Sequence, residues 1–485
     1  MQLEFRKDIH KCLKQVGGGQ KRMELTLELR LPEGDPDASN VLGAWGVPVI
    51  RTKEWRGDHM GVSGGVNCWV LYKTEDDMAV RCTKGWMPFS FRWELKDSKR
   101  DGMVMASCRI WDMDARIVGA GKVMVTAQLL CDGTGLERDE FETAYPSNIP
   151  ADVHCLSNES EFTVPMEAGE KLIVLDEEVL LPPGKAPLES LLFYTFQPEL
   201  AEKRLMGDRI ACRGTGTLET VYLGTDGRIA SFQTELPLSF FAQLDREYGP
   251  AGQMWILPVV SELEAEPVDE HKIRVKAGVL AQYTLANGIK LCGAEDLYSP
   301  QREVSLERCS VEIPTMGSAQ ILQMNTAVTM DREYDELVLS AYADSLSVSA
   351  DDKMLNISGT VRGVGYDESE YAPIRETWNG EMPVEGDDYS VYAVAGTHDD
   401  GKISLSVSIG EAPLASQAYS FISGAQLGDE KPEDPDRPSL ILCRYSGSGL
   451  WQLAKKYGSD ADKIREVNRL DAEPEKGQIL LIPVC

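Results

Sequence analysis

Short spacings of reactive side chains are scarce in this chain of 485 residues. Asp112 and Asp114 stand two apart, so on a strand they share one face and could act as a general acid/base pair. With 78 acidic residues such pairs arise by chance, and a solvated edge paired with Arg116 is the expected reading. The histidines, at 10, 59, 154, 271 and 398, are all isolated. A metal site or triad built on them needs convergence from distant parts of the chain. There is no G-x-x-x-x-G-K-S/T phosphate loop and no H-E-x-x-H helix. Gly363-Val364-Gly365 and Gly214-Thr215-Gly216 lack a following helix pattern, so they read as strand glycines and not phosphate cradles. No catalytic residue, cofactor or metal is assigned, and an enzyme is not expected.

Charge narrows the partners. Lys and Arg number 49 against 78 acids, a net charge of -29 that repels phosphate backbones and anionic headgroups. Nucleic acid is therefore not an expected partner. Residues 439–485 are nearly neutral, so the acidity lies in everything before them. The apolar runs, such as Met254-Trp255-Ile256-Leu257-Pro258-Val259-Val260, fall far short of the roughly 20 residues that span a bilayer. The opening MQLEFRKDIHKCLKQVGGGQ lacks the apolar core and cleavage site of a secretory signal, so a cytoplasmic location is expected. Eleven cysteines with no C-x-x-C pair favour free thiols in a reducing compartment; a Cys443–Cys485 disulfide would suit an exported protein instead.

The elements that must position any site are strands. Up to residue 427, short runs of alternating apolar and polar residues are divided by Gly, Pro, Asp and Asn. Landmarks recur at a spacing of about 150 residues, the signature of a repeat. Leu31-Pro32-Glu33-Gly34 returns as Leu181-Pro182-Pro183-Gly184. Ser63-Gly64-Gly65-Val66 returns as Gly214-Thr215-Gly216-Thr217 and Ser358-Gly359-Thr360-Val361. Met87-Pro88 is followed by Leu236-Pro237 and Met382-Pro383, and Gly121-Lys122-Val123 by His271-Lys272-Ile273 and Gly401-Lys402-Ile403. The expected architecture is mainly β, with tandem β-rich modules over 1–146, 147–300 and 301–427, the third divergent. An acidic, Pro-rich linker follows over 428–438, then a small βααβ domain over 439–485.

In that tail, Leu440–Tyr445 reads as a strand and Ser446–Gly449 as a turn. Leu450, Leu453, Ala454 and Tyr457 give a helix one apolar face, with Gly458 at its C′ position. Ser459 or Asp460 can cap a second helix that ends near Asn468, and Gly477–Pro483 is the return strand. Trp451 is expected in the core of this small unit. Arg444, Lys455, Lys456 and Arg469 surround its candidate groove and would either steer an acidic partner or serve as ordinary solvated charge.

Gly449-Leu450-Trp451-Gln452-Leu453-Ala454-Lys455-Lys456-Tyr457-Gly458, the Asn468 turn and Gly477–Pro483 resemble a LysM domain. The resemblance implies a groove between the loop after the first strand and the loop after the second helix. Its residues here are Gly447, Ser448, Gly449, Leu450, Asn468, Arg469 and Leu470. LysM domains bind N-acetylglucosamine glycans, so peptidoglycan is the alternative ligand. Two departures weigh against it: Gly447-Ser448-Gly449 replaces the usual Gly-Asp-Thr/Ser, and Asn468-Arg469 the common Asn-Pro. The β-rich stretches resemble the SPOCS module of spore-coat proteins. Tandem copies of it plus one LysM domain resemble the SipL-like coat morphogenetic proteins of anaerobic endospore formers. That resemblance implies a non-enzymatic scaffold on the mother-cell side of the forespore surface, binding the coat's basement-layer ATPase, SpoIVA, partly through LysM. Self-association of the modules is expected alongside.

Overall fold

A period-two alternation buries one face of a strand and leaves the other wet. In Lys122–Leu129, Val123, Val125, Ala127 and Leu129 are fully buried, while the residues between them are only half-buried. That pattern builds nearly the whole molecule. The computed structural model describes residues 1–485 except 33–35, 76–78, 97, 99–100, 250–251, 318–320, 331, 333, 335, 350, 368–369, 387–388, 400, 412–413, 433–437 and 485. The landmark residues Glu33 and Gly34, and residues 433–437 of the acidic Pro-rich stretch, lie outside the described residues.

The first module contains β1 (Glu4–Arg30), β2 (Ala38–Arg56), β3 (His59–Thr74), β4 (Val80–Glu94), β5 (Met103–Gly119) and β6 (Lys122–Ser147). They form two antiparallel sheets, β1-β6-β5 and β2-β3-β4, whose inner faces share a core of Val62, Val66, Phe89, Val123, Val125 and Ala127. The second module repeats the plan with β7 (His154–Leu180), β8 (Leu188–Gly224), β9 (Ile229–Tyr248), β10 (Gln253–Asp269) and β11 (Lys272–Tyr298). Its sheets are β10-β11-β7 and β8-β9. β8 stands for both β2 and β3, because its chain passes through Gly207 (φ 62°) and brings Gly214 against the carbonyl of Glu199.

The third module has β12 (Arg302–Met316), β13 (Ile321–Thr329), β14 (Glu336–Val348), β15 (Met354–Asp367), β16 (Glu370–Pro383), β17 (Tyr389–Asp399), β18 (Lys402–Glu411) and β19 (Leu414–Glu430). Sheets β13-β18-β17 and β14-β15-β16 repeat the sandwich, and β12-β19 is a separate pair. The tail is β20 (Leu440–Arg444), α1 (Leu450–Tyr457), α2 (Ala461–Val467) and β21 (Ile479–Pro483). Among the described residues, no helix is long and apolar enough to cross a membrane.

The repeat is legible atom by atom. A Cβ added to Gly64 would stand 1.9 Å from the Val49 carbonyl oxygen, one on Gly214 1.9 Å from that of Glu199, and one on Gly359 1.9 Å from that of Tyr342. Only glycine admits so close a neighbour strand. The second copy is thus one residue out of step with the sequence match: Gly214, not Thr215, is the counterpart of Gly64 and Gly359. Likewise Pro88 faces Gly65 and Pro237 faces Thr215, but the residue facing Thr360 is Thr377. Met382-Pro383 instead ends β16, where proline costs no ladder bond inside the sheet. The amides of Leu31, Leu181 and Met330 donate to the carbonyls of Gly121, His271 and Gly401. The hairpin landmark therefore coincides in all three copies.

Each module also sends out a two-stranded stem. In the first two, β1/β6 and β7/β11 run on past the sandwich through register shifts at Gln15/Gly17 and Leu285/Ala286. In the third, the described strands at the corresponding place are separate elements, β12 and β13 on one side and β18 and β19 on the other. The stems meet around Cys12, Phe141, Phe162, Val164, Ile313, Tyr419 and Phe421. The sandwiches meet too. One core holds Trp45 and Trp69 of the first module, Phe193 and Tyr222 of the second, and Val338 and Val364 of the third. The Trp45 and Phe193 rings stack at 4.4 Å.

Candidate functional site

The acidic pair in the first module is ion-paired to another module. Arg362 of the third module places Nη2 2.8 Å from Asp112 Oδ1 and Nη1 3.0 Å from Asp114 Oδ1. The partner is Arg362 and not the expected Arg116, because the face these carboxylates share lies against another module. The histidines are dispersed as well. His10 bonds Thr143 Oγ1 at 2.9 Å, His59 Nδ1 is 3.0 Å from Asp58 Oδ1, and His154 stacks on Tyr298. Burial lowers the pKa of His10. No group of three or more His, Cys, Asp or Glu among the described residues could hold a metal ion. A cleft of about 1210 Å3 between the first two modules is lined by Arg51, Lys53, Trp86, Glu170 and Arg274, among others. Lys53 is ion-paired to Glu170, Arg274 to Asp176 at 2.7 Å, and Arg51 lies over the Trp86 ring at 4.3 Å.

The βααβ unit offers a clearer arrangement. Gly449, at φ 87°, opens α1 with no side-chain cap; its amide donates to the Tyr445 hydroxyl at 2.9 Å. Gly458 ends α1 in the left-handed conformation, φ 61° and ψ 47°. Asp460, and not Ser459, caps α2, accepting from the Asp462 amide at 2.8 Å. Ser459 is buried and donates to the Pro483 carbonyl. Cys443 is a free thiol 3.5 Å from the Tyr457 hydroxyl, and Cys485 lies outside the described residues.

Of the seven groove residues, three are committed to the fold. Leu450 is buried in the core. Asn468 donates from Nδ2 to the carbonyls of Ile464 (2.8 Å) and Leu481 (2.6 Å) and accepts from the Leu481 amide (2.8 Å). Leu470 packs half-buried on the same core. Gly447, Ser448 and Arg469 are exposed, and Gly449 is half-buried. The two loops do come together: the Tyr445 hydroxyl donates to Glu473 Oε2 at 3.3 Å, and the Gly477 amide to the Tyr445 carbonyl at 2.8 Å. The outward face of the β20/β21 pair adds exposed Leu442 (68%) and Ile479 (58%) beside Arg444.

A second face of the unit is occupied. Asp296, near the end of β11 in the second module, has a side chain only 9% exposed. It accepts from Trp451 Nε1 at 2.9 Å and from Lys455 Nζ at 2.7 and 2.8 Å. Tyr298 sets its ring edge-on to Trp451 at 4.8 Å, donates to the Ser459 carbonyl at 2.9 Å, and belongs to the core of the small unit. His154 Nδ1 lies 3.9 Å from Asp460 Oδ2. Burial acts to raise the Asp296 pKa, but the hydrogen bonds from Lys455 and Trp451, the charge of Lys455 and the Leu297 amide outweigh it and hold the carboxyl below its usual value.

Trp451 therefore lies half-buried at the joint with the body, and Lys455 is committed to Asp296. A helix pattern shows which face is apolar but not whether that face meets its own domain or another. Nothing in the sequence reading singled out Asp296 or Tyr298 as a contact of the tail. The available signal was Trp451 and Lys455 at i and i+4, one tryptophan and one lysine on the same helix face with no acid three or four residues from either. Comparison of the chain with protein-family models, with curated proteins and with solved structures finds no match.

Proposed function

We propose that this chain is a non-enzymatic scaffold of spore-coat assembly, of the SipL-like kind that joins SPOCS-type modules to one LysM domain. In this reading the β body is an acidic mount and the βααβ unit binds a protein. The coat's basement-layer ATPase, SpoIVA, is the partner by resemblance, and the mother-cell cytoplasm at the forespore surface is the place of action.

The observation that carries the reading is the two-sidedness of the small unit. One face is clasped by Asp296 and Tyr298, while Gly447, Ser448, Arg469, Leu442 and Ile479 stay exposed on the rest of it. Exposed apolar side chains beside cations suit a protein surface better than a glycan. The commitment of Asn468 to the backbone removes one polar group that a sugar could use.

The test is a pull-down with the full chain, comparing the purified ATPase with purified peptidoglycan, with Arg469→Glu as the groove variant and Leu450→Asp as a folding-disrupted control. ATPase retention that Arg469→Glu weakens at least tenfold, without wall retention, is expected. Saturable wall binding with no ATPase retained overturns the proposal.

A further inference from the structure

Cys108 on β5 and Cys131 on β6 are direct partners across the antiparallel ladder of the first module. Directly opposed residues in such a ladder have Cα atoms about 4.5–5.5 Å apart, inside the roughly 4.4–6.8 Å span of a disulfide. The two sulfurs are 2.8 Å apart, both as free thiols. Cys131 is fully buried and Cys108 is partly open, so a small reagent reaches Cys108 first. The next residue, Arg109, donates from Nη1 to the Ala343 carbonyl of the third module at 2.7 Å. The pair thus sits beside a joint between modules and outside the βααβ unit.

We propose that Cys108 and Cys131 are a dithiol modification site that closes to a disulfide when the protein meets a peroxide. The Cys108 sulfur, as thiolate, attacks one peroxide oxygen; the O–O bond breaks, Cys108 becomes a sulfenic acid, and the departing hydroxide leaves as water with the thiol proton. The Cys131 sulfur then attacks the Cys108 sulfur; the S–O bond breaks and a second water leaves with the Cys131 proton. Two S–H bonds are lost, one S–S bond forms, and the peroxide is reduced to two waters. Burial and the neighbouring Cys131 hold the Cys108 thiol well above its usual pKa, so the first step is slow. The closed bond ties residues 23 apart in sequence and restricts the unfolded chain.

The experiment incubates the native full chain with hydrogen peroxide and reads intact mass, a non-reducing peptide map and the thermal midpoint. The expected result is the loss of two hydrogens, a Cys108–Cys131 cross-linked peptide and a raised midpoint, all reversed by dithiothreitol. In Cys131→Ser the same treatment should leave a Cys108 sulfenic acid that dimedone traps. Oxidation of Cys108 beyond the sulfenic acid with Cys131 left free overturns the proposal. So does a link between other cysteines, or no change under conditions that oxidise the exposed Cys292.

Discussion

Two kinds of joint hold this molecule together, and they are built from different materials. The three sandwiches share an apolar core in which Trp45 stacks on Phe193 and Val338 and Val364 close in from the third module. The βααβ unit is held by a compact clasp, in which Asp296 gathers Trp451 and Lys455 and Tyr298 reaches Ser459. A shared core couples the stability of its contributors, because no module can open without exposing apolar surface of the others. A clasp centred on one carboxylate is local. Losing it leaves the Trp451 indole N–H and the Lys455 ammonium without their acceptor but leaves the body intact.

The largest expected effect breaks the first joint. Trp45→Ala should destabilise the whole β body by about 3–5 kcal/mol, seen as a lower denaturant midpoint for all three modules together. A drop confined to the first module would mean that the core is not shared. Next, Gly359→Ala forces a Cβ against the Tyr342 carbonyl and should cost about 1–3 kcal/mol, with Gly64→Ala and Gly214→Ala close to it in equilibrium unfolding. Markedly unequal costs would count against structural equivalence of the three glycines.

The second joint responds to smaller changes. Asp296→Asn should cost about 1–3 kcal/mol and increase hydrogen exchange at α1 and Tyr298 while leaving Trp45 and its neighbours protected. The same joint should respond to acid. The folded pKa of Asp296 lies below the unfolded one, so its contribution is present above the ordinary carboxylate pKa and is lost as pH falls through the lower folded value. Hydrogen exchange at α1 from neutral pH to strong acid should show protection lost in that window in the native chain, and less of it in Asp296→Asn.

Much of this was legible in the sequence, and the remainder was hidden for a physical reason. Alternation, the glycine landmarks and the Gly-Lys-Val hairpins point to repeated β modules, and the periodic face of Leu450, Leu453 and Ala454 points to the small βααβ unit. Gly458 and Asp460 cap its helices as their residue types suggest. What a single sequence hides is the partner across a joint. Asp112 meets Arg362 some 250 residues away, and Lys455 meets Asp296 in another module. Pattern also misplaces register: Gly214-Thr215-Gly216 offers two glycines, and only the close strand at Glu199 says which one matches Gly64 and Gly359. In the candidate groove, residue type alone could not separate Asn468, consumed by the backbone, from Arg469, which is exposed.

The most direct test of the clasp is small-angle scattering of the full chain in three forms: native, Asp296→Arg, and Asp296→Arg combined with Lys455→Asp. The account predicts a compact native particle, an extended one when the arginine faces Lys455, and a return to the compact form when the charges are exchanged. An unchanged curve across all three would contradict it, and so would a native particle that is already extended.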